Sequence, residues 1–319
     1  MMNKVFEKIL SGKKIALFTH VVPDGDALGS TFAMSLALEK LGKETTVFVN
    51  EKLPKKLEFL NNYYKKNYFT EFKDEDFDLY LALDCGDEKR LGIYSEPFIK
   101  SENNASVDHH ATNSKFAKEN FVVGDASSTG ELVFEFVKAA QVAFDKNIAS
   151  LIYTAIASDT GCFKYESTKQ KAHIYAAELI GEGAEFAQIN KLLFDTEFKE
   201  ELKLKGYAMN NMEYYHDGKL AVIVITNEIL EGMGATYEDA EVLSIIPRSV
   251  YGVEMGLVVK EWQGKTKVSI RTNSYADATV LAGKFGGGGH IRASGCSLAA
   301  NDENEAIRLI ISAIEEELK

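Results

Sequence analysis

The fold is decided by the stretch His20-Val-Val-Pro-Asp24-Gly-Asp26-Ala-Leu-Gly-Ser30. An apolar run over residues 15–18 precedes it and is typical of a short buried strand. Apolar residues with mostly helical spacing follow it, and Gly42 can end that helix. A strand, a tight acidic turn and a helix therefore place one imidazole and two carboxylates within seven residues. In open parallel sheets, ligands bind at the carboxyl ends of strands, where this turn would lie.

Two interpretations of this turn are open from the stretch alone. Two aspartates and a histidine repel one another or stay partly protonated unless a cation holds them, which favours a metal site. Alternatively, the turn is a solvated loop in front of a helix, and Asp26 is an ordinary N-cap. The other segments of the chain distinguish between the two.

Three further apolar segments also end in metal-ligand residue types. These are Asp84 after residues 78–83, Asp108-His109-His110 after residues 105–107, and Asp159 after an apolar helix over residues 148–157. Arg90 and Asn113 follow the first two of these segments closely. Because lone buried aspartates are costly unless paired or coordinated, four such segments predict a metal cluster. Oxygen and imidazole donors without thiolate fit manganese, magnesium or cobalt, with zinc and iron as alternatives.

The order of the remaining segments predicts an α/β protein with two domains, which suits 319 residues of which 45% are hydrophobic. A second strand over residues 45–49 completes a strand–helix–strand start and predicts a mostly parallel, doubly wound sheet. A helix is expected from Ser127 to Ala143, with a Ser or Thr N-cap. A long helix from Thr196 to about Met212, with Glu201 among its exposed charges, would join the domains and end near the turn His216-Asp-Gly218.

The predicted boundaries are a first domain with the metal cluster over residues 1–195, a helical linker over 196–216, and a smaller α/β domain over 217–319. In the smaller domain we expect strands over residues 220–225, 253–259 and 266–270, a short helix around Ala240 and a terminal helix over residues 302–318.

Two features of the smaller domain point to an anion. Arg271 ends a predicted strand and could bind a phosphate bidentately. The run Gly286-Gly287-Gly288-Gly289-His290 is expected to be a bare loop whose N–H groups could approach an anion. It lacks the Lys-Ser or Lys-Thr ending of a P-loop. A mobile loop without function is the alternative, unless the domain faces the metal site.

Composition excludes several classes of protein. A net charge of -12 opposes the binding of long nucleic acid, because such binding needs a basic protein surface that displaces counterions. No apolar run is long enough to cross a bilayer, and the N-terminus lacks a signal-peptide core. Three widely spaced cysteines without a Cys-x-x-Cys pair suit a reducing cytoplasm. We therefore expect a cytoplasmic protein with no membrane partner.

Two ligand motifs can also be set aside. The segment that begins at Asp24 fails the calcium-loop pattern, because its fifth position, Leu28, is apolar and no glutamate closes the loop. The chain has no Gly-x-Gly-x-x-Gly after its first strand, so a dinucleotide fold of the Rossmann type is unsupported.

The ordered set of motifs resembles the DHH phosphoesterase superfamily over nearly the whole chain. Its four motifs correspond to His20-x-x-x-Asp24-x-Asp26, Asp84, Asp108-His109-His110 and Asp159. The segment Gly286-Gly-Gly-Gly-His290-Ile-Arg-Ala-Ser-Gly295 is similar to the glycine-rich motif of the DHH-associated C-terminal domain. Chain length and Asp108-His-His-Ala-Thr-Asn113 are most similar to the nano-RNase branch, the NrnA-like enzymes.

The resemblance implies two divalent metal ions, usually Mn²⁺, with Mg²⁺ or Co²⁺ as alternatives. The implied ligands are His20 and Asp24 for one ion, Asp26, His109 and Asp159 for the other, and Asp84 shared by both. His110 would face the scissile phosphate, with Asp108 supporting the motif. The implied substrate-binding residues are Arg271, Gly287, Gly288, Gly289 and His290 of the second domain, to which we add Arg90 and Asn113 as candidates.

The implied activity is metal-dependent hydrolysis of oligoribonucleotides of two to about five nucleotides to mononucleotides, or removal of a phosphate from 3′-phosphoadenosine 5′-phosphate to give AMP. Hydrolysis of pApA or cyclic di-AMP is the alternative within the superfamily. Inorganic pyrophosphatase or exopolyphosphatase activity and a non-catalytic nucleotide sensor are further alternatives. The expected partners are short RNA or a small nucleotide. The oligomeric state stays open, with a homodimer as one option.

Overall fold

The computed structural model describes residues 4–73, 76–262, 264–298, 303–314 and 318. The chain divides into two compact units, Met1–Thr196 and Glu197–Lys319. Each unit has its own sheet and its own hydrophobic core.

The first unit contains one parallel sheet with helices. Its elements are α1 (Lys4–Ser11), β1 (Lys14–Phe18), α2 (Gly25–Lys40), β2 (Glu44–Phe48), β3 (Tyr68–Phe69), β4 (Leu79–Leu83), α3 (Ser95–Lys100), β5 (Asn104–Asp108), β6 (Glu119–Val122), α4 (Thr129–Ala139), α5 (Lys146–Asp159), α6 (Gln170–Gly181) and α7 (Phe186–Asn190). The strand order is β3-β2-β1-β4-β5-β6, and every neighbouring pair is parallel. This confirms the predicted doubly wound sheet.

The strand order has a consequence for the site. It is the order of dinucleotide-binding sheets, in which the winding direction changes between β1 and β4. The missing glycine motif argued only against a dinucleotide-binding signature, and a doubly wound sheet can have this strand order without it. A crevice forms at such a switch point, at the carboxyl ends of the strands.

Both faces of this sheet are buried, as the continuous apolar runs predict. Along β1, Ile15 and Leu17 pack into the core beneath α2, α4 and α5. Ala16 and Phe18 point to the opposite face, where a second core of mainly aromatic residues lies. This alternation is the two-residue period of a strand. Burial on both faces fixes the register of β1, and so fixes where the segment after Phe18 begins.

Helix α2 is held by a close contact with α5. Nearly every residue of α2 is buried. At Gly29, a Cβ would come within 2.6 Å of the Leu151 carbonyl oxygen and 3.0 Å of the Ala155 nitrogen. Glycine therefore lets the two helix backbones approach, and this contact positions the first turn of α2, which carries Asp26.

Some first-unit predictions were wrong at the element ends. The helix predicted to run to Ala143 ends at Ala139, because Gln141 has a φ of 55° and the Val142 N–H donates to the Val137 oxygen. The N-cap of α2 is Asp24, whose side chain accepts from two backbone N–H groups, and not Asp26. Helix α1 and strand β6 were not predicted.

The second unit contains a mixed sheet. Its elements are α8 (Lys199–Asn210), β7 (Glu213–Tyr215), β8 (Leu220–Ile225), α9 (Asn227–Met233), β9 (Met255–Trp262), β10 (Lys265–Thr272), α10 (Ala278–Lys284), β11 (Gly288–His290), β12 (Ala293–Leu298) and α11 (Glu303–Ile314). The strand order is β11-β12-β10-β9-β8-β7, in which only the β8–β9 pair is parallel. A 3₁₀ segment, Asp239–Ile245, replaces the short helix expected around Ala240.

The helix predicted as a linker differs from expectation in two ways. Helix α8 ends at Asn210 and strand β7 follows, so the helix does not reach His216. Glu201 is buried and not exposed, because its carboxylate accepts the Phe198 N–H at 2.8 Å and caps the helix. Leu204 packs in a core cluster with residues of β8 and β9. In the terminal helix predicted over 302–318, residues 302 and 315–317 lie outside the described residues.

Within the described ranges, no helix combines the length and the apolar character needed to cross a bilayer.

Substitution of Gly29 tests the contact between α2 and α5. We expect Gly29→Ala to lower the free energy of unfolding by about 1–3 kcal/mol, because the new methyl group overpacks against the Leu151 carbonyl. Urea unfolding followed by circular dichroism measures it. The matched control is Gly206→Ala within α8, where a Cβ meets nothing within 4 Å; it should gain about 0.5–1 kcal/mol. Equal effects of the two substitutions would contradict the proposed contact.

Candidate metal centre

The predicted ligand residues of the first unit meet at one edge of its sheet. Strands β1, β4 and β5 are parallel neighbours, so their carboxyl ends share that edge. His20 follows β1, Asp84 follows β4, and Asp108 is the last residue of β5. Asp159 is the last residue of α5, and it lies close to His109. Topology therefore brings together residues far apart in sequence.

Three groups of side chains are arranged as metal ligands would be. They are His20, Asp24 and Asp84; Asp26, His109 and Asp159; and Asp84, His109 and His110. Within each group the potential ligand atoms all lie within 4.8 Å of one another. Asp84 joins the groups, because its two oxygens lie 3.7 Å from His20 Nε2 and 3.6 Å from His109 Nε2. This arrangement suits two cations with one shared carboxylate.

The imidazoles of His20 and His109 are held so that Nε2 faces the cluster. The Nδ1 atom of His20 lies 2.8 Å from the Val21 carbonyl oxygen, and that of His109 lies 3.2 Å from the Ala126 carbonyl oxygen. An Nδ1–H donor to a carbonyl fixes the tautomer and leaves the Nε2 lone pair for a metal. The donor set thus fits divalent cations in chemistry as well as in position.

Asp26 is fully buried and its carboxylate is fixed by the N-terminus of α4. The Thr129 N–H donates to Oδ2 at 2.7 Å, and the Gly130 N–H donates to Oδ1 at 2.9 Å. The Ser30 hydroxyl adds a third donor at 2.9 Å. A helix N-terminus favours negative charge through its unpaired N–H groups. These donors orient Asp26 and offset part of the cost of its burial.

Asp84 is also buried, and it has a backbone φ of 57°, which is uncommon for a residue other than glycine. Its Oδ1 accepts the Thr129 hydroxyl at 2.9 Å. Thr129 therefore contacts both buried carboxylates of the cluster, Asp26 through its backbone and Asp84 through its side chain. Strain of this kind persists where surrounding contacts determine the conformation.

The buried charges perturb one another strongly. Burial, followed by the charges of Asp24 and Asp159, raises the pKa of Asp84 to about 8. Burial and the neighbouring Asp84 raise the pKa of Asp26 well above its usual value. Burial alone would lower the pKa of His109, but its hydrogen bond to Asp159 and the nearby carboxylates raise it to about 11. Without a cation, the cluster must hold protons at neutral pH.

His110 stands on the open side of the cluster. Its Nδ1 lies 2.7 Å from Asp108 Oδ1, and this bond raises the pKa of His110. Burial would raise the pKa of Asp108, but the bond and charge of His110, with the bond from Asn113 and the charge of His109, together outweigh it and lower that pKa. Asn113 Nδ2 donates to Asp108 Oδ2 at 2.6 Å and to the Cys85 carbonyl at 3.0 Å. These bonds make Asn113 a support for Asp108 and, through it, for His110.

Arg90 lies beside His20 at the rim of the cluster. Its Nη2 is 2.9 Å from His20 Nδ1, the same nitrogen that faces the Val21 carbonyl. If His20 Nδ1 carries its proton, two donors face each other, and the guanidinium gains by turning elsewhere. The side chain of Arg90 is exposed, so it has room to do so.

In the second unit, the glycine run is not the bare loop that the sequence predicted. Gly286 follows the end of α10 and has a φ of 68°. The N–H groups of Gly286 and Gly287 donate to the Gly283 and Ala282 carbonyls, respectively. Gly288–His290 forms β11, which pairs with β12. A Cβ on Gly287 would meet the Gly295 oxygen, whereas one on Gly288 meets nothing within 4 Å. Packing therefore requires glycine at position 287 but not at position 288.

Two contributors to the cluster were missed from the sequence. The hydroxyls of Thr129 and Ser30 donate to the buried carboxylates of Asp84 and Asp26. The segment Ser127-Ser-Thr-Gly-Glu131 indicated only a helix N-terminus. It did not indicate which carboxylate would accept hydrogen bonds from its N–H groups. A signal existed in Ser30, which lies one helical turn after Asp26, within hydrogen-bonding distance on the same face.

Comparison with known proteins gives a consistent result. A family model described as the DHH family, N-terminal domain, matches residues 14–156, and one described as the DHHA1 domain matches residues 218–316. A bifunctional oligoribonuclease and PAP phosphatase NrnA of Thermus thermophilus is 30% identical over 95% of this chain and 90% of its own length. The enzyme of the same name from Bacillus subtilis is 27% identical over 92% of each chain.

A solved structure extends the similarity to the fold. The crystal structure of an exopolyphosphatase-related protein from Bacteroides fragilis superposes with a TM-score of 0.91 and 27% identity. The match covers 99% of this chain and 98% of that one.

Replacement of Thr129 tests its role as a positioning residue. We expect Thr129→Val to weaken Mn²⁺ binding by roughly ten- to hundred-fold, because it removes the donor that orients Asp84 while keeping shape and backbone. Isothermal titration calorimetry measures the affinity. The control is Thr129→Ser, which keeps the hydroxyl and should bind nearly as the wild type does. Equal affinity of the valine variant would show that the hydroxyl does not position Asp84.

Metal binding should release protons. Because the pKa values of His109 and Asp84 are raised to about 11 and about 8, both groups hold protons at neutral pH, and a cation must displace them. The apparent affinity should therefore rise with pH between about 6 and 8, by up to about tenfold per pH unit for each proton released. Calorimetry in two buffers of different ionisation enthalpy counts the protons. Affinity that is independent of pH would contradict the protonated cluster.

Proposed function

The chain belongs to the DHH family of phosphoesterases, and on that premise we propose that it hydrolyses oligoribonucleotides of two to about five nucleotides and also removes the 3′-phosphate of 3′-phosphoadenosine 5′-phosphate. The observation that carries the proposal is the shared position of Asp84 between the His20 and His109 groups. Both reactions cleave a phosphate ester, so one cluster can serve both. The NrnA names of the Thermus and Bacillus relatives support this pair of substrates.

We assign two divalent cations to the cluster, with Mn²⁺ as the first choice and Mg²⁺ or Co²⁺ as alternatives. His20 and Asp24 would hold one, and Asp26, His109 and Asp159 the other, with Asp84 shared. When bound, the pair would supply a water of lowered pKa as nucleophile and neutralise charge on the phosphate oxygens. This assignment agrees with the oxygen and imidazole donors and with the Nδ1–H bonds that direct both Nε2 atoms inward.

The residues around the cluster would orient the substrate and move protons. His110 keeps its Nδ1 on Asp108, so its Nε2 can donate to the leaving oxygen, and a raised pKa favours the protonated form. Asp108, tied to Asn113, holds that ring in place. If His20 Nδ1 carries its proton, the Arg90 guanidinium gains by leaving it and can turn to a phosphate oxygen.

We propose that the first domain, residues 1–195, performs the chemistry and that residues 217–319 bind the rest of the substrate, with 196–216 as the helical connection. In the second domain Arg271, Gly288, Gly289 and His290 are the proposed contacts. Gly287 instead has its N–H bonded to the Ala282 carbonyl, so we give it a packing role. The net charge of -12 supports short substrates, because a long polyanion would be repelled.

The alternatives have less support. Hydrolysis of pApA or cyclic di-AMP uses the same cluster, but the named relatives do not favour it. The same names give no support to an inorganic pyrophosphatase. A non-catalytic sensor is less well supported by a complete ligand set, since every proposed ligand belongs to a group whose potential ligand atoms lie within 4.8 Å of one another.

A turnover panel tests the proposed function. With Mn²⁺ present, we expect hydrolysis of RNA dinucleotides and of 3′-phosphoadenosine 5′-phosphate, and a steep fall in kcat/KM beyond about five nucleotides, because an acidic surface cannot track a long backbone. Cyclic di-AMP and pyrophosphate should be poor substrates. Liquid chromatography of the products measures all of them in parallel. Processive degradation of long strands at dinucleotide rates would refute the proposal.

The matched variants for this panel are Asp84→Asn and His173→Ala. Asp84→Asn should abolish turnover of every substrate while the protein stays folded, because the shared carboxylate serves both proposed ions. His173 is exposed and lies outside the cluster, so its alanine variant should retain activity. Near-normal turnover by Asp84→Asn would contradict the two-metal assignment.

A further inference from the structure

Two apolar side chains are exposed beside the candidate metal centre. Val22 lies between His20 and Asp24, two of the proposed ligands, and is 71% exposed. Ile93 lies three residues after Arg90 and is 63% exposed. Because consecutive Cα atoms are about 3.8 Å apart, the Cα of Val22 is at most about 7.6 Å from that of either ligand. The chemistry assigned to the centre uses neither apolar side chain.

The backbone of Val22 adopts a conformation that is unfavourable for valine. Its φ is 51°, in the left-handed region, where a β-branched residue is an outlier and asparagine or glycine is preferred. Pro23 follows, and a proline favours an extended conformation in the residue before it. The exposed side chain of Val22 gains little packing energy that would offset this strain. Folding alone would therefore favour asparagine or glycine at this position.

Backbone hydrogen bonds place the two side chains on one rim of the cluster. The Val22 N–H donates to Glu51 Oε1 at 3.0 Å, and the Ile93 N–H donates to Asn50 Oδ1 at 3.2 Å. The two apolar residues are thus bound to adjacent positions in the segment that follows β2. We call Val22 and Ile93 the apolar rim.

Gly92 allows the segments that carry the apolar rim to approach each other closely. It has a φ of 59°, and a Cβ there would come within 2.6 Å of Val21 Cγ1. The Val21 N–H donates to the Arg90 carbonyl oxygen at 2.7 Å. Because Arg90 Nη2 is also 2.9 Å from His20 Nδ1, these contacts put the apolar rim on the His20 side of the cluster.

We propose that the apolar rim contacts the base of the nucleotide whose phosphate is bound at the cluster. A base has two apolar faces, and only one sugar separates it from its phosphate, so it can reach residues this close to the ligands. Every base offers such a face, so the contact favours nucleotides over other phosphate esters without selecting a sequence. Strain that persists beside a site is typical of functional residues. This inference rests on the proposed function and adds specificity residues from the first unit to it.

A purely structural role is the competing explanation for Val22. The residue could serve only to hold the turn between His20 and Asp24. However, the bond from Val22 to Glu51 uses the backbone N–H, and the side chain takes no part in it. Removal of the side chain should therefore leave the turn and its two ligands in place.

Equilibrium binding of AMP and of ribose 5-phosphate tests the apolar rim. Both ligands carry a sugar and a phosphate, and only AMP has a base. Calorimetry on the full chain in a buffer with Mn²⁺ should show that the wild type binds AMP more tightly. We expect Val22→Gly to weaken AMP binding by roughly three- to tenfold, because the base loses an apolar contact, while ribose 5-phosphate binding changes by less than about twofold.

Matched variants separate the contact from its alternatives. Val22→Ile keeps a branched apolar side chain and should bind AMP as the wild type does. Ile93→Ala should also lose affinity for AMP alone. Ile180→Ala removes the same apolar group from an exposed position on α6 and should leave both affinities unchanged. Val22→Gly should keep the Mn²⁺ affinity and the melting temperature of the wild type, because glycine adopts the left-handed conformation readily.

Every outcome of this measurement decides the inference. Equal losses on both ligands, no loss on either, or a wild type without preference for AMP would each overturn it. Weaker Mn²⁺ binding or a lower melting temperature of Val22→Gly, with AMP and ribose 5-phosphate affected alike, would overturn it and assign the residue a structural role. Dissociation of a dimer by Val22→Gly with unchanged AMP affinity would overturn it and assign the rim to a second copy of the chain. The measurement involves no hydrolysis, so a selective loss in a protein that fails the turnover panel would support the rim and reject the proposed function alone.

Discussion

The structure of the first unit depends on the burial of two carboxylates, Asp26 and Asp84, at one edge of a parallel sheet. Burial of a charge costs several kcal/mol unless it is paired, and here the two groups also repel each other. The N–H groups of α4 and the Thr129 hydroxyl offset part of this cost but leave a net demand for positive charge. Protons neutralise the excess negative charge only in part, whereas divalent cations can neutralise it directly. The close packing of α2 on α5 positions the first turn of α2, in which Asp26 is fully buried.

The backbone is strained at the same edge of the sheet, next to the two buried carboxylates. Asp84 and Val22, at φ values of 57° and 51°, adopt a left-handed conformation that a β-branched residue such as valine rarely takes. Both lie in segments that directly follow strands, where the chain must turn sharply to keep its polar side chains at the strand ends. Neighbouring contacts hold the turn after β1, because the Val21 N–H donates to the Arg90 carbonyl and the Val22 N–H to Glu51. The geometry of the cluster is therefore fixed by the scaffold before any ligand arrives.

The sequence predicted the positions of the candidate ligands well, because each one ends a segment whose apolar period is clear. It could not predict the contacts of Thr129, since a helix N-terminus is recognisable locally but its partner is set by the fold. Strand β6 was missed because it is an edge strand that buries little and shows no apolar run. The glycine run was misjudged because a sequence does not distinguish glycine needed for packing, as at Gly287, from glycine in open space, as at Gly288. Glu201 was misplaced because its cap to Phe198 outweighs the cost of burying it.

The acidic excess and the short-range contacts of a binding site act at different distances, and under the proposed function this difference would favour short substrates. A net charge of -12 acts over about a Debye length and opposes every phosphate of a long strand. For the proposed substrates, favourable binding energy would then have to come from short-range contacts at fixed points, such as cations held by the cluster. Each such point recognises one phosphate, and every further phosphate adds repulsion without a partner. A ligand with few phosphates, placed where those contacts lie, keeps the gain and avoids the cost. Under the proposed function, we therefore expect electrostatics to limit the length of the substrate.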